Sequence, residues 1–318
     1  MRPEDLFAEP TLKQVTVWSR GVILGKEGRD VAFALANAAM REGKHVQAFE
    51  NYVDLPDRVN VPVTAYARIS AEPIESRFLY ENYAHDVVVI VEESLIRGPV
   101  LDHITPGAVL VVNSKRPAAE LARFLPRHPN LKSIVTVDAS GISSAVKSLS
   151  GQEGATDATG IGGGWAGPLA GAVVRATGLA TLESLLAVVK DPPAAQRGYD
   201  TATITPAQEL FERGLGKPWA GDSQPKRYLE APFAGTVDAP ERRNDKMVTG
   251  TWRITRPVLT PELCTQCMIC VVDCPDACIT LTETAVQVDY EYCKGCGICT
   301  QVCPTEAFKD VPELDFAV

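Results

Sequence analysis

Residues 1–200 alternate between short apolar runs and longer stretches with helical spacing. Gln14–Ser19 ("QVTVWS") alternates apolar and polar side chains and predicts a strand. "GRDVAFALANAAMREGK", residues 28–44, spaces its apolar residues as one face of a helix and stops at Gly43. Val46–Tyr52 predicts a second strand, and "PVTAYARIS" from Pro62 a third. "DVVVIV" from Asp86 is a continuous apolar run, the pattern of a strand covered on both faces. "AVLVVN" from Ala108 and "SIVTVDAS" from Ser133 follow, with "PAAELARFL" between them as a helix. Two further helices are expected over Trp165–Thr177 and Leu182–Lys190. Strands alternating with helices in this way predict an α/β domain with Rossmann-like layering.

The pattern changes near the C-terminus. "ITLTETAVQVDYEYC" alternates on both sides of a four-residue "TETA" segment and predicts a β-hairpin. Length agrees with two domains, since 318 residues exceed the usual size of one. The expected division is 1–200 for the α/β domain, 201–255 for a linker and lead-in, and 256–318 for a small α+β domain. Charge follows that division: residues 261–318 carry ten Asp and Glu against two Lys, most of the chain's net −9. Such a tail argues against nucleic acid as a partner, which needs a basic footprint. No apolar run is long enough to span a membrane, and "MRPEDLFAEP" places acids and a proline where a signal peptide would be apolar. A cytoplasmic protein that avoids membranes is expected.

All nine cysteines lie between Cys264 and Cys303, and in a reducing compartment such crowding reads as metal ligation rather than disulfides. Cys264, Cys267, Cys270 and Cys274 are followed by Pro275; Cys293, Cys296, Cys299 and Cys303 are followed by Pro304. The two runs have identical spacing, Cys264 matching Cys293 and Pro275 matching Pro304, which marks an internal duplication. This C-x2-C-x2-C-x3-C-P run is the bacterial ferredoxin pattern, in which three close thiolates hold one [4Fe-4S] cluster and the fourth crosses to the other. Cys264, Cys267, Cys270 and Cys303 are therefore expected at one cluster, and Cys293, Cys296, Cys299 and Cys274 at the second. Zinc sites more often present ligand pairs separated by a long loop. The ninth cysteine, Cys278, falls on Ala307 in the repeat, so a packing role is expected for it.

Other candidate chemistry is thinner. Gly162, Gly164 and Gly167 match a dinucleotide fingerprint, but a polar loop rather than a strand precedes them, and a glycine-rich entry to a packed helix is expected instead. "GVILGKEG", residues 21–28, reads as a loop between the first strand and helix, with Lys26 either solvated or facing an anion. The histidines at 45, 85, 103 and 128 are scattered in sequence without ligand spacing. Neither a hydrolytic triad nor a carboxylate pair is evident, so no complete active site is expected in this chain.

The whole layout resembles the γ and δ subunits of 2-oxoacid:ferredoxin oxidoreductases, fused in one polypeptide. "EGKHVQAFENY", "PVTAYARISAEPI", "AVLVVNSK" and "RATGLATLESLLAVV" carry the γ-like resemblance, and "TGTWRITRPVLTPELC" resembles the δ lead-in to its first cluster. The resemblance implies a subunit that passes electrons from oxidative cleavage of a 2-oxoacid through its clusters to an external ferredoxin. It further implies partner α and β subunits that hold thiamine diphosphate, magnesium and a further [4Fe-4S] cluster. Two departures bear on substrate: "SRGVILGKEG" replaces the family's GRGGQG-like loop, and "GIGGGWAG" is unusually glycine-rich. They bring the chain nearest to oxalate oxidoreductase, which uses no coenzyme A, with coenzyme A-dependent pyruvate or another 2-oxoacid as the alternative. A stand-alone carrier, with its ferredoxin domain fused to a nucleotide- or flavin-binding domain, is the competing class. Some of Arg242, Arg243, Lys246, Arg253 and Arg256 are expected to anchor the acidic domain to the rest of a complex, with solvated linker charge as the alternative.

Overall fold

The computed structural model of the protein describes residues 9–51, 61–75, 81–82, 84–143, 164–222 and 248–316. The described residues of 9–51 and 62–222 form one compact unit, and those of 248–316 form another.

The first unit is a seven-stranded mixed sheet. Its strands are β1 (Lys13–Arg20), β2 (His45–Asn51), β3 (Pro62–Ser70), β4 (His85–Ile90), β5 (Ile104–Asn113), β6 (Leu131–Val137) and β7 (Thr203–Pro206), in spatial order β2-β3-β1-β4-β5-β6-β7. β1, β4, β5 and β6 are parallel, as Rossmann-like layering requires; β2, β3 and β7 join antiparallel at the flanks. The chain gives the reason. Only ten residues separate Asn51 from Pro62, fewer than the dozen or so that a parallel crossover needs.

Side-chain alternation fills the space on one face. Val15, Val17, Val87, Val89, Val109, Val111, Val135 and Val137 form one core with helices α1 (Gly21–Arg41) and α3 (Ala166–Thr177). The intervening Val88, Ile90, Leu110, Val112 and Ile134 are also buried, so the apolar runs of the central strands are covered on both sides. From α1 the stripe Val31, Ala32, Leu35, Ala36, Ala38 and Ala39 enters that core.

Helix α1 corrects the sequence reading. It begins at Gly21, so residues 21–28, expected as a loop, are its first two turns. Glycines cost about 1 kcal/mol each in a helix interior, which is why they read as breakers. Here a Cβ on Gly28 would come within 2.8 Å of Ser19 Oγ and one on Gly25 within 3.4 Å of Val63, so both let the helix lie close against the sheet. Leu24 is buried and Lys26 exposed; the side chains of Val22 and Ile23 lie outside the described residues.

Other boundaries moved as well. The segment after β5 is one short helix, α2 (Ala118–Leu121), followed by a 3-10 turn at Ala122–Phe124, and α4 (Leu182–Leu186) stops before Lys190. Beyond it lie α5 (Pro192–Thr201), then β7, then α6 (Ala207–Glu212), so the sheet takes in residues past 200.

In the second unit, β9 (Ile279–Leu281) and β10 (Val286–Val288) form the expected hairpin, closed by Thr282 N–H to the Ala285 carbonyl at 2.8 Å. β8 (Thr255–Leu259) pairs antiparallel with β11 (Phe308–Pro312). The two pairs are copies: Val288 opposite Ile279 in one corresponds, through the repeat, to Leu259 opposite Phe308 in the other. Short helices α7 (Ile269–Val272) and α8 (Ile298–Val302) repeat in the same way.

Candidate metal centre

Each cysteine triplet sits on a loop that turns twice through left-handed backbone. Gln266 and Met268 have φ of +56° and +64°, and their repeat mates Gly295 and Gly297 have +69° and +75°. Ala277 and Glu306, another pair of repeat mates, also share positive φ at +48° and +52°. Left-handed conformation costs about 1–2 kcal/mol for a residue with a Cβ. The fold imposes it on four non-glycine residues in this unit, so the loop geometry is held by its surroundings. These turns lead into the first turns of α7 and α8, which carry Cys270 and Cys299 inward.

The cysteines fall into two groups. Cys270 lies within electrostatic reach of Cys267, Cys264 and Cys303; burial first, and then these neighbours, push its pKa up. Cys274, Cys293, Cys296 and Cys299 line one cavity, along with Cys278, Pro257, Pro275 and Lys294. Burial, followed by the nearby Cys293 and Cys296, pushes Cys299 up to about 12. The structure thus brings together both sets that the repeat specified, each fourth cysteine joining the other run's triplet. Among the described residues no three His, Cys, Asp or Glu side chains converge tightly enough for a single metal ion. Ala307 N–H donates to Cys303 Sγ at 3.3 Å, an amide–sulfur bond of the kind that stabilises a thiolate.

Cys278 is buried with Ile279, Val286, Val288 and Phe308, and its sulfur is 3.4 Å from Cys274 Sγ. It shares a hydrogen bond with Cys293 that raises its own pKa and lowers that of Cys293.

Arg253 and Arg256 correct another expectation. Both turn into their own unit. Arg253, 5% exposed, donates through Nε and Nη2 to the two Glu313 oxygens at 2.9 and 3.0 Å, and through Nη1 to the Tyr290 and Cys293 carbonyls at 2.5 and 2.6 Å. Arg256 donates to the same carboxylate at 2.7 and 3.1 Å and lies over the Tyr290 ring. Burial would raise the Glu313 pKa, but hydrogen bonds from both arginines outweigh it and hold it at about 2. Arg242, Arg243 and Lys246 lie outside the described residues, as does Gly162 of the glycine-rich segment.

The described part of that segment, from Gly164 onward, packs within the first unit. Gly167 sits 3.5 Å (Cβ position) from the Asp191 carbonyl, and a Cβ on Gly171 would overlap the Ala195 carbonyl oxygen where α3 crosses α5. The α3 N-terminus is already served by a carboxylate: Glu27 accepts from Gly164 N–H at 3.1 Å and Ala166 N–H at 2.9 Å. Of the fingerprint glycines, Gly164 therefore spends its amide within the fold.

Sequence reasoning missed one grouping. His103 and His128 both face Asp222, at 3.7 and 3.1 Å, and His85 lies close enough to feel His103 and Asp222. Their separation in sequence hid this, because β4, β5 and β6 bring their starts together only as a parallel sheet.

Comparison with known proteins agrees with both units. Residues 31–214 match the family model described as pyruvate ferredoxin/flavodoxin oxidoreductase, and residues 286–309, spanning the second cysteine run, match a 4Fe-4S binding domain. The chain is 32% identical over 190 residues to the pyruvate/ketoisovalerate oxidoreductases common subunit gamma of Thermococcus kodakarensis, covering 59% of this chain and 91% of that one. It is 41% identical over 93 residues to pyruvate synthase subunit PorD of Thermotoga maritima, covering 29% of this chain and 92% of that one. Pyruvate synthase subunit PorC of the same organism is 30% identical over 162 residues, 51% of this chain and 73% of its own. The chain belongs to the pyruvate ferredoxin/flavodoxin oxidoreductase family, as a γ-type subunit of such an oxidoreductase that also carries a 4Fe-4S-binding domain.

Proposed function

We propose that this chain is the electron-transfer and scaffold subunit of a thiamine diphosphate-dependent 2-oxoacid:ferredoxin oxidoreductase, working in the cytoplasm with α and β partner subunits that hold the thiamine diphosphate, its magnesium and a further cluster. The observation that carries the reading is the duplicated cysteine run placed behind a γ-type domain. Cys264, Cys267, Cys270 and Cys303 would hold one [4Fe-4S] cluster, and Cys293, Cys296, Cys299 and Cys274 the other. The donor chemistry fits, because each set offers four thiols, and Asp276, the carboxylate that lines the second set's cavity, is paired with Lys294 at 3.3 Å. When bound, the two clusters supply one-electron relay between the substrate-oxidising subunits and an external ferredoxin. The left-handed loops orient the thiols, burial keeps water from Cys270, Cys293 and Cys299, and those thiols must release their protons as iron binds.

Two substrates are supported by different observations. The replaced loop "SRGVILGKEG" favours oxalate, a small dianion whose two carbons can both leave as carbon dioxide without coenzyme A. Its bulk argues less than its sequence suggested, since Leu24 is turned into the core; exposed Lys26 is the altered charge that remains. The relatives' names favour pyruvate. The test is viologen reduction by the assembled complex, given oxalate without coenzyme A or pyruvate with it. Turnover on oxalate alone supports the first reading. Coenzyme A-dependent turnover on pyruvate with none on oxalate selects the second, and a chain that copurifies with a bound flavin or nucleotide and no thiamine-binding partner would replace both.

A further inference from the structure

The two ligand sets are copies in backbone but not in charge. Beside the second set stand three cations. Arg253 donates to the Cys293 carbonyl, Arg256 joins it on Glu313, and Lys294, between Cys293 and Cys296, pairs with Asp276 at 3.3 Å. Their repeat mates, which face the first set, are Thr282 for Arg253, Ala285 for Arg256 and Thr265 for Lys294. All three are neutral. There Gln266 donates to the Thr282 and Glu283 carbonyls, whereas its repeat mate Gly295 lies against Arg253.

Two of the cations share one carboxylate. Arg253, Arg256 and Glu313 together keep a net positive charge, since Glu313 stays ionised between both arginines. It is also fixed in place: a Cβ on Gly295 would come within 2.9 Å of Arg253 Cγ, so the ligand loop rests directly on this side chain. Both Arg253 and Glu313 are buried, where salt screens poorly and charge acts strongly. Cluster potentials respond to local net charge and hydrogen bonding, and a one-electron reduction adds negative charge that a nearby cation favours.

We propose that the Arg253–Glu313–Arg256 arrangement behind the Cys293 loop gives the cluster held by Cys293, Cys296, Cys299 and Cys274 the higher reduction potential of the two, making it the resting place of a single electron. The inference rests on the reading of the eight cysteines as two cubanes. Arg253 and Arg256 are tuning residues; neither touches substrate.

The experiment is an anaerobic dithionite titration of the reconstituted full chain, followed by electron paramagnetic resonance, with iron content measured on each sample. Wild type should resolve two one-electron midpoints. Arg256→Gln should move only the higher midpoint to more negative values, by about 59 mV if reduction becomes tenfold harder. Glu313→Gln, which removes the negative charge that both arginines share, should move the same midpoint in the opposite direction, and Arg256→Lys should restore the wild-type value. Opposite signs distinguish charge from damage, because a loosened loop would not reverse with the sign of the substitution. Equal shifts of both midpoints, or none at full iron content, would overturn the tuning role and leave the two-cluster reading intact. A wild-type chain that takes up only four irons overturns both.

Discussion

Met268 and Gly297, which occupy the same place in the two halves of the repeat, hold the same left-handed backbone at φ +64° and +75°. The duplicated fold fixes the conformation at both positions and leaves residue type to local space. Gly297 has room for a Cβ, its nearest neighbour being Asp310 Oδ2 at 3.6 Å, whereas a Cβ on Gly295 would overlap the Thr255 carbonyl oxygen. Gly297→Ala should therefore cost about 1 kcal/mol of left-handed strain, and Gly295→Ala roughly 3 kcal/mol, since a steric clash adds to it. Thermal loss of the cluster's visible absorbance should rank wild type, Gly297→Ala and Gly295→Ala in that order of decreasing midpoint. Equal midpoints for the two variants would contradict the packing account.

Cys278 lies 3.4 Å from Cys274 Sγ and shares a hydrogen bond with Cys293, and the repeat assigns it packing rather than ligation. Reconstituted wild type should hold about eight irons, two cubanes of four. Cys278→Ala should keep that number, with its repeat mate Ala307 as the precedent for the smaller side chain, while Cys274→Ala should lose up to half. Iron and acid-labile sulfide assays decide it, and a lost cluster in Cys278→Ala would make this residue a ligand.

Glu27 joins α1 to α3 by accepting from two amides at the α3 N-terminus. Glu27→Ala should cost about 1 kcal/mol, the usual worth of a lost cap. Gly171→Ala should cost more, because the Ala195 carbonyl cannot move without separating α3 from α5. Chemical denaturation followed by tryptophan fluorescence would report both, and an unchanged midpoint for Glu27→Ala would remove the cap from the account.

His85 sets an acid limit on the first unit. Burial, followed by the neighbouring His103, lowers its pKa from 6.5 to about 4, and Thr16 Oγ1 lies 2.7 Å from its Nδ1. The unfolded chain therefore binds a proton that the folded chain refuses between pH 6.5 and 4. Stability is full above pH 6.5 and falls as pH drops through that window, by about 3 kcal/mol at most for this group. His85→Asn should flatten the slope of unfolding midpoint against pH in this range. A slope identical to wild type would assign the loss to other groups.

Much was legible along the chain because the signals were local. Strand runs and the "TETA" hairpin follow from alternation, and the grouping of Cys303 with the first triplet and Cys274 with the second follows from an internal repeat that must fold twice the same way. What escaped depends on contacts distant in sequence. Gly25 and Gly28 read as helix breakers until the sheet showed why α1 needs them; Glu27 and Gly171 acquire meaning only where α1 and α5 meet α3. Arg253 and Arg256 looked like exposed linker charge because a sequence cannot show that Glu313, far along the chain, folds back between them. Sequence alone supplied the thiols and the grouping proposed for them, since metal chemistry depends on residue type and short spacing. Tertiary structure decided which charges stand beside them, since a buried cation is stable only where the fold supplies its partner.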